Sequence, residues 1–347
     1  MDDNKLNTWK ESRKRRIRNL SSKNLLSGII AHDWTALSAA ITLVESFKET
    51  DFREAQELIK LCLPYSGNSV RIGITGVPGV GKSTFIEAFG ELIANKENKI
   101  AVLAIDPSSS LSKGSILGDK TRMNMLSMNE NVFIRPSPAG STLGGVARKT
   151  REAIILCEAA GFNYIFIETV GVGQSETVVK SMVDFFLLLM LSGAGDELQG
   201  IKKGIMEMAD AVVITKADGE NSKKSEIAAR EYRNAIHLFP PNENNWIPKV
   251  LTCSAIDNFG LDEIHQMIKS FENQTKNNGS FEFNRRSQDR TWFLESLKEL
   301  IYSNFFSKKS VKEFIKEIEN KVANGEITSF QGAELVFDLY KKNETGI

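Results

Sequence analysis

The chain has 347 residues, enough for one large domain with helical additions or for two modest domains. Apolar residues make up 41% and charged residues 25%, as in ordinary soluble globular proteins. Lysine plus arginine and aspartate plus glutamate both number 44, so the charge balance gives no reason to expect nucleic acid or an anionic membrane as a partner.

Cysteine usage and the chain's first residues indicate the compartment. The three cysteines are far apart and form no CxxC pair, which favours a reducing interior over a disulfide framework or a zinc site. The longest apolar run, 185–191, is shorter than the ~20 residues that a membrane-spanning helix needs. The beginning of the chain lacks the apolar region of a secretory signal, and Asp2, Asp3 and Glu11 argue against a transit peptide. We therefore expect a cytoplasmic protein without a membrane segment.

Residues 1–68 are predicted to form a helical extension. Apolar residues recur at spacings of three and four in "NLLSGIIAHDWTALSAAITLVESF" and again in "DFREAQELIKLCL". The tract Gly67-Asn68-Ser69 then marks a turn, where we place the start of the next domain.

Residues 69–272 alternate short apolar, β-branched runs with helical patterns. The predicted strands are "VRIGIT", "KIAVLAID", "VFIRP", "YIFIET", "DFFLLLML", "AVVIT" and "KVLTCS". Most are apolar on both faces, as expected when helices cover both sides of a mostly parallel sheet. The pattern predicts a doubly wound α/β domain that binds its ligand at the carboxyl ends of the strands.

Residues 273–347 are predicted to contain a linker and then a helical arm. The segment "NQTKNNGSFEFNRRSQ" is polar and typical of a linker or loop. Three amphipathic helices are predicted after it, in "TWFLESLKELIYSNFF", "SVKEFIKEIENKVANG" and "TSFQGAELVFDLYKK". They are too few to form a core alone, so we expect them to pack on the main domain or on another copy of the chain.

The stretch "GITGVPGVGKSTF" fits the phosphate-binding pattern GxxxxGK[ST] and lies between a predicted strand and a predicted helix, as its mechanism requires. Glycines let phosphate oxygens approach the backbone, whose N–H groups point at the anion from a helix N-terminus. Lys82 can reach the β- and γ-phosphates, and the hydroxyl of Ser83 can bind Mg²⁺. The predicted phosphate-binding residues are Gly76, Val77, Pro78, Gly79, Val80, Gly81, Lys82, Ser83 and Thr84. The chain is therefore predicted to be a P-loop NTPase.

The stretch "YIFIETVGVGQSE" ends a buried strand in Glu168, with Gly171 three residues later. P-loop enzymes need an acidic group near Mg²⁺ here and a glycine whose N–H contacts the γ-phosphate. GTPases usually have Asp-x-x-Gly, so Glu168 departs from the pattern, although its longer side chain still reaches the metal, through water if necessary. The alternative is a strand-end glutamate that only caps a helix.

Two aspartates are further candidates for the reaction centre. Asp106 ends the strand in "VLAIDPSSS", where its carboxylate could face the Mg²⁺ shell or the attacking water, although Asp-Pro-Ser-Ser is also a common turn. Asp119 lies in a loop, where an acidic residue is usually only solvated. Water is the expected attacking group, and Asp106, Asp119 and Gln174 are the candidates that could orient it.

The turn "TKAD" follows another apolar strand and resembles the Asn-Lys-x-Asp with which GTPases select guanine. The carboxylate of Asp218 would accept hydrogen bonds from the ring N1 and the exocyclic amine, while the Lys216 stem covers the base. Adenine would leave this carboxylate unpaired, which discriminates strongly against ATP. Thr215 replaces the usual asparagine, which mainly braces the loop. The predicted base-binding residues are Thr215, Lys216, Asp218, Ser254, Ala255 and Ile256.

With these residues placed, the chain resembles the methylmalonyl-CoA mutase-associated GTPase chaperones, a family that has also been described as a lysine/arginine/ornithine transport-system kinase. The resemblance runs in order from residue 25 to residue 218 and includes "GITGVPGVGKST", "VLAIDPSSS", "TLGGVARKTREAI", "IETVGVGQSE", "GAGDELQGIKKGIMEMAD" and "TKAD". "GEITSFQGAELV" resembles the C-terminal helical arm of the family.

The resemblance implies a homodimeric GTPase that binds GTP or GDP with Mg²⁺ and acts on an adenosylcobalamin-dependent acyl-CoA mutase. Hydrolysis would gate delivery of intact cofactor and removal of damaged cofactor. By motif match, Lys82, Ser83, Asp106 and Glu168 would be phosphate and metal residues, with Ser83, Asp106 and Glu168 around the metal. The segment Gly193 to Gly204 would be a loop that relays the nucleotide state; otherwise it is a surface loop that starts a helix.

One departure and two alternatives remain at this point. Many relatives have Arg-Gly before "LGG", where this chain has Gly140-Ser141. A kinase of a basic-amino-acid transport binding protein is the alternative enzyme. A metallochaperone is disfavoured because histidine and cysteine are few and scattered. The type of client mutase stays open.

Overall fold

The computed structural model describes residues 21–46, 48–105, 123–136, 143–169, 175–193, 203–239 and 244–345. The chain divides into two compact units, one that ends at Gln288 and one that begins at Asp289. None of the helices within the described ranges is both long enough and apolar enough to cross a membrane.

A seven-stranded sheet forms the centre of the first unit, and each of its neighbouring strand pairs is parallel. The strands are β1 (Val70–Gly76), β2 (Ile100–Ile105), β3 (Val132–Pro136), β4 (Tyr164–Thr169), β5 (Phe185–Leu191), β6 (Ala211–Thr215) and β7 (Lys249–Thr252). Their order across the sheet is β3-β2-β4-β1-β5-β6-β7. All seven predicted strands are present, and the predicted parallel α/β fold is confirmed. The apolar run predicted to be too short for a membrane helix is β5, at the buried centre of the sheet.

Helices cover the sheet on both sides, as the apolar strands predict. The helices of the first unit are α1 (Ser22–Ile30), α2 (Trp34–Val44), α3 (Glu49–Cys62), α4 (Lys82–Ile93), α5 (Leu143–Ala159), α6 (Ser175–Lys180), α7 (Lys203–Met208), α8 (Asn221–Ile236) and α9 (Leu261–Asn277). Short 3₁₀ turns lie at Leu63–Tyr65 and Leu126–Met128. The core between the sheet and α4 and α9 contains stacked aromatic rings, with Phe89 next to both Phe85 and Phe166.

The N-terminal helices α1, α2 and α3 pack on one another and on α5. Polar contacts complete this interface: Gln56 donates to Glu152 at 2.8 Å, and Lys149 donates to the carbonyl of Glu45 at 2.6 Å. Burial raises the pKa of Glu45, while Arg135 and Lys149 act in the opposite direction. The predicted helical character of the first zone is thus present in its described part.

The prediction of a polar linker after residue 272 is wrong. α9 continues to Asn277, and after a turn at Asn278 and Gly279 the long helix α10 (Ser280–Ser307) begins. Arg285 explains why this polar stretch is ordered, because its guanidinium donates to Asp184 at 2.7 and 2.8 Å and to the carbonyls of Gly67 and Ser69 at 2.6 Å.

The three predicted C-terminal helices are present in α10, α11 (Lys309–Ala323) and α12 (Ser329–Thr345). Within the second unit a small apolar cluster forms around Val311, Ile318 and Val336. Many larger apolar side chains of this unit are exposed, among them Phe293, Leu294, Ile301, Tyr302 and Phe330.

Candidate functional site

Four strands bring the predicted site residues to one edge of the sheet. Because β1, β4, β6 and β7 run parallel, the segments that follow them all lie at the carboxyl edge. Glu168 lies on β4 opposite Ile74 of β1, two residues before Gly76 starts the P-loop. The sheet topology therefore places the phosphate motif between the acidic strand end and the two predicted base-binding loops.

The P-loop, residues 76–84, links β1 to α4. Gly76 is required by space, because a Cβ there would collide with the carbonyl of Leu189 on β5. Gly81 is required by conformation, because its φ of 91° is left-handed at the N-cap of α4. No side chain in the described part of the chain caps the first turn of α4, so its N–H groups are available to an anion.

Lys82 is the cation of the loop. Its ammonium Nζ donates to the carbonyl of Gly76 at 2.9 Å and to that of Val77 at 3.4 Å. Burial lowers the pKa of Lys82, although the negative charges of Glu168 and Glu176 act to raise it. The ammonium is thus held by two carbonyls of the P-loop at the place where the motif predicts phosphates.

Ser83 and Glu168 form an oxygen pair beside this cation. The hydroxyl Oγ of Ser83 donates to Oε1 of Glu168 at 3.2 Å, and Glu168 is buried at the end of β4. A hydroxyl and a carboxylate are hard oxygen donors of the kind that Mg²⁺ prefers. These two residues therefore fit a magnesium ion, which would supply Lewis-acid charge to a triphosphate.

Thr215 and Lys216 join the base loop to the P-loop. The Thr215 hydroxyl donates to the carbonyl of Val80 at 2.7 Å, so the hydroxyl can brace the loop where other GTPases have asparagine. Lys216, with a left-handed φ of 56°, donates from Nζ to the carbonyl of Gly79 at 2.8 Å. Its stem passes close to Gly81, because a Cβ there would be 3.8 Å from Cε of Lys216.

Asp218 is held by the loop that follows β7. Oδ2 of Asp218 accepts from the Ser254 hydroxyl at 2.8 Å, and the same hydroxyl accepts from the Asp257 N–H at 3.1 Å. Ser254 is fully buried and pairs with Phe259 through two backbone hydrogen bonds. Among the described residues Asp218 has a hydroxyl and no cation as its partner, which fits its predicted role as the carboxylate that reads a base. Ala255 is half-buried beside this pair, whereas Ile256 is 78% exposed.

Several predicted functional residues lie outside the described residues, and their roles stay predictions. They are Asp106, Asp119, Gly171 and Gln174, together with the Gly140-Ser141 departure and residues 194–202 of the predicted relay loop.

Glu176 is a residue of this site that the sequence did not reveal. It lies in the first turn of α6 and is 1% exposed. Its charge acts on Lys82 together with that of Glu168. The signal was available, because Glu176 is the last letter of "IETVGVGQSE", but in a sequence it cannot be distinguished from a solvated acid in a helix's first turn.

Comparison with known proteins identifies relatives of the whole chain. A family model described as "Methylmalonyl Co-A mutase-associated GTPase MeaB" matches residues 37–310. A probable GTPase of Mycobacterium tuberculosis H37Rv is 47% identical over 315 residues, which are 91% of this chain and 94% of that protein. The GTPase ArgK of Escherichia coli is 44% identical over 296 residues, 85% of this chain and 89% of that protein.

Two further matches bear on function. The mitochondrial methylmalonic aciduria type A homolog of Mus musculus is 42% identical over 327 residues, 91% of this chain and 79% of that protein. A crystal structure of a LAO/AO transport system kinase shares 35% identity and a TM-score of 0.74, covering 93% of this chain and 98% of that one.

The family model spans most of the chain, and the bacterial relatives match it over nearly their full length under the name GTPase. The predicted resemblance is thus confirmed: the chain belongs to the family of methylmalonyl-CoA mutase-associated GTPases.

Proposed function

We propose that this GTPase gates the delivery of adenosylcobalamin to a cobalamin-dependent acyl-CoA mutase of the methylmalonyl-CoA type, and protects that mutase by removal of damaged cofactor. The observation that carries the proposal is that the P-loop and the oriented Asp218, the predicted guanine-binding carboxylate, occur in a family defined by its association with methylmalonyl-CoA mutase. The name of the mouse relative, a methylmalonic aciduria protein, supports the same client.

In the proposed reaction the chain positions and neutralises rather than forming a covalent bond. The N–H groups of the P-loop and the ammonium of Lys82 stabilise the charge that develops on the transferred phosphoryl group, while water attacks. Ser83 and Glu168 hold Mg²⁺ in this proposal, with Asp106 as a further ligand. Asp218 and Lys216 bind guanine, and Ser254 orients Asp218.

Slow intrinsic turnover belongs to the proposal. P-loop sites without an arginine finger hydrolyse GTP at on the order of 10⁻⁴ to 10⁻² per second, and a partner that completes the site accelerates them. A slow GTPase is suited to act as a switch, because each nucleotide state persists long enough to be read by the client. Rapid hydrolysis by the isolated chain would contradict the switch.

We also propose that the protein is a cytoplasmic homodimer. The exposed apolar side chains of the second unit support self-association, because a patch of that kind on a monomer favours an interface. A groove of about 740 Å³ lined by α10, α11 and α12 adds to this apolar surface.

Co-purification with a cobalamin mutase tests the gating. The tagged chain is incubated with the mutase in the presence of GDP or a non-hydrolysable GTP analogue, and both the amount of complex and the transfer of adenosylcobalamin are measured. We expect the two nucleotides to give different amounts of complex and of transferred cofactor. Asp218→Ala is the control, since its response to guanine nucleotides should be lost. Equal complex formation and transfer with both nucleotides would remove the gating.

A kinase that phosphorylates a transport binding protein is the second candidate, favoured by the name of the solved structure that is 35% identical. GTP labelled in the γ-phosphate distinguishes the two functions. Label that ends only as free phosphate, in the presence of candidate binding proteins for basic amino acids, excludes the kinase. Label in a protein would support it.

A further inference from the structure

Two buried threonines meet between the strand that leads into the P-loop and the strand that carries Glu168. The hydroxyl of Thr169 donates to Oγ1 of Thr75 at 2.8 Å, and the two residues are 0% and 1% exposed. Neither threonine is among the residues predicted to bind phosphate, metal or base. Most side-chain hydrogen bonds go to the backbone or to water, so a bond between two buried side chains of neighbouring strands is a specific feature of this edge of the sheet.

The threonine pair lies where the backbone pairing of β1 with β4 ends. The last residues that the two strands pair in register are Ile74 and Glu168. Thr75 and Thr169 are the next residue on each strand, and their side chains are bonded there. On its other side Thr169 is still paired with Ile105 of β2. The hydroxyl bond therefore extends the contact between β4 and β1 by one residue, up to the start of the P-loop.

Each threonine is the chain neighbour of a residue that contacts a side chain of the P-loop. Thr75 precedes Gly76, whose carbonyl accepts from the ammonium of the P-loop lysine at 2.9 Å. Thr169 follows Glu168, whose Oε1 accepts from the Ser83 hydroxyl at 3.2 Å. A shift of the end of β4 away from β1 would therefore change the separation between Glu168 and Ser83.

We propose that Thr169 is a positioning residue for magnesium: its bond to Thr75 holds Glu168 at the distance from Ser83 at which both oxygens serve one Mg²⁺, directly or through water. The inference rests on the metal site of the proposed function. Successive side chains of a strand point to opposite faces, so Thr169 acts on Glu168 through the backbone and not by direct contact.

Magnesium makes the site sensitive to such positioning. Mg²⁺ requires nearly octahedral geometry with ligand distances of about 2.0–2.1 Å, so a small displacement of one ligand weakens binding. Replacing residues that orient metal ligands typically lowers metal affinity by about 10- to 100-fold. The loss of the threonine bond should therefore be measurable as a weaker affinity for Mg²⁺.

The test measures the dissociation constant of Mg²⁺ in the complex with a fluorescent, non-hydrolysable GTP analogue, from the rate of analogue release at a series of Mg²⁺ concentrations. Thr169→Val removes the hydroxyl and keeps the shape, whereas Thr169→Ser keeps the hydroxyl. Thr275→Val is the matched control, because Thr275 is also 1% exposed and its hydroxyl donates at 2.8 Å to the carbonyl of Phe271 within α9. Analogue release in a chelator shows whether the P-loop is intact, and thermal unfolding shows whether each full-length variant is folded.

We expect Thr169→Val to raise the dissociation constant of Mg²⁺ about tenfold while analogue release in the chelator hardly changes. Thr169→Ser and the distant Thr275→Val should keep the original constant within about twofold. Because the two hydroxyls act as one pair, Thr75→Val should raise the constant as much as Thr169→Val does, and the double variant should raise it no further.

Four results would overturn the role of Thr169. If Thr169 only stabilises the fold, Thr169→Val lowers the unfolding temperature and leaves the dissociation constant of Mg²⁺ unchanged. If Thr169→Ser loses as much Mg²⁺ affinity as Thr169→Val, packing and not the hydroxyl is responsible. If Thr169→Val does not fold, an unchanged constant in Thr75→Val is decisive against the pair. If the unchanged chain releases the analogue equally fast with Mg²⁺ and with the chelator, the metal site of the proposed function is wrong, and the role of Thr169 is lost with it.

Discussion

Asp218 is the side chain that we propose selects the purine. Its Oδ2 accepts from Ser254, so the carboxylate is oriented by a neutral group and keeps its capacity to accept from a base. A cation in the place of Ser254 would have paired with the carboxylate of Asp218 and left it less able to accept hydrogen bonds from a base. A hydroxyl as the bracing group is thus part of the guanine recognition that we propose.

Replacing Asp218 with alanine should lower the affinity for GTP by about 100-fold or more, because two hydrogen bonds to a charged acceptor are lost. ATP binding should stay weak and unchanged. Fluorescent nucleotide titration measures both. Glu220→Gln, an exposed acid two residues further on, should bind GTP as the unchanged chain does. An equal loss for GTP and for ATP would show that the variant has damaged the phosphate site and not the selection of the base.

Thr215 is expected to act through the loop and not on the nucleotide. Thr215→Val removes the hydroxyl that donates to the Val80 carbonyl at 2.7 Å, while Thr215→Ser keeps it. Losing this buried hydrogen bond should cost about 1–3 kcal/mol in the free energy of unfolding and should speed GDP release. Urea unfolding and stopped-flow dissociation measure the two effects. The same GDP release rate in the valine and serine variants would contradict the bracing role.

At the scale of the secondary structure elements, the sequence predicted the strands and much less of what connects them. Strands such as β5 were predictable because a helix-covered parallel strand needs a continuous apolar run. The helical structure of the polar segment after α9 was not predictable, because Arg285 binds partners more than 200 residues earlier in the chain, at Gly67 and Ser69. Glu176 was missed for the same reason: nothing in its local sequence shows that its position beside β1 buries it.

The contact between α6 and β1 depends on the absence of a side chain at Gly73. Gly73→Ala should reduce the free energy of unfolding by about 1–3 kcal/mol, because the new Cβ would be 2.8 Å from Val179 and 3.0 Å from Phe186. Denaturant unfolding provides the measurement. Gly204→Ala, at a helical position in α7 with open space around it, should be neutral or slightly stabilising. Equal stability of the two variants would show that α6 can shift to accept the methyl group.

A buried ion pair joins β1 to α5 at the opposite edge of the sheet from the nucleotide site. Arg71 donates to Glu158 at 2.9 and 3.1 Å, and Ser69 donates to it at 2.6 Å. Burial alone raises the pKa of Glu158, but Arg71, Ser69 and Arg285 together outweigh burial and hold the pKa below its usual value. The ionised carboxylate is therefore bound more favourably in the folded chain than in the unfolded chain.

This ion pair should make the free energy of unfolding depend on pH in the acidic range. Because the pKa is lowered on folding, its contribution is fully present above the ordinary value of 4.5 and is lost as the pH falls through the lower folded value. Glu158→Gln should reduce the free energy of unfolding at neutral pH by about 3 kcal/mol, and the difference from the unchanged chain should shrink as the pH falls below 4.5. Urea unfolding at a series of pH values measures this difference in the free energy of unfolding. A difference that stays constant with pH would show that packing, and not charge, is what the variant loses.

At the scale of the whole molecule, the two units differ in how well they cover their apolar residues. The first unit buries a large core around its sheet, whereas the second has a small cluster and exposes many of its large apolar side chains. A unit of about 60 residues seldom forms a sufficient core alone. Its exposed surface is a reason to expect a second copy of the chain as part of the folded protein.

Ile301 of α10 is 61% exposed and provides the test of this dimer. A buried glutamate without a partner is strongly unfavourable in an apolar interface, so Ile301→Glu should shift the protein from dimer to monomer at micromolar concentration. Lys298→Glu, at an exposed polar position of the same helix, introduces the same side chain with an even larger charge change, two units instead of one, and should leave the dimer intact. Light scattering coupled to size-exclusion chromatography gives the masses, and GTP binding shows that the first unit is intact in each variant. A monomer in all three proteins, or a dimer that Ile301→Glu does not weaken, would contradict self-association through this surface.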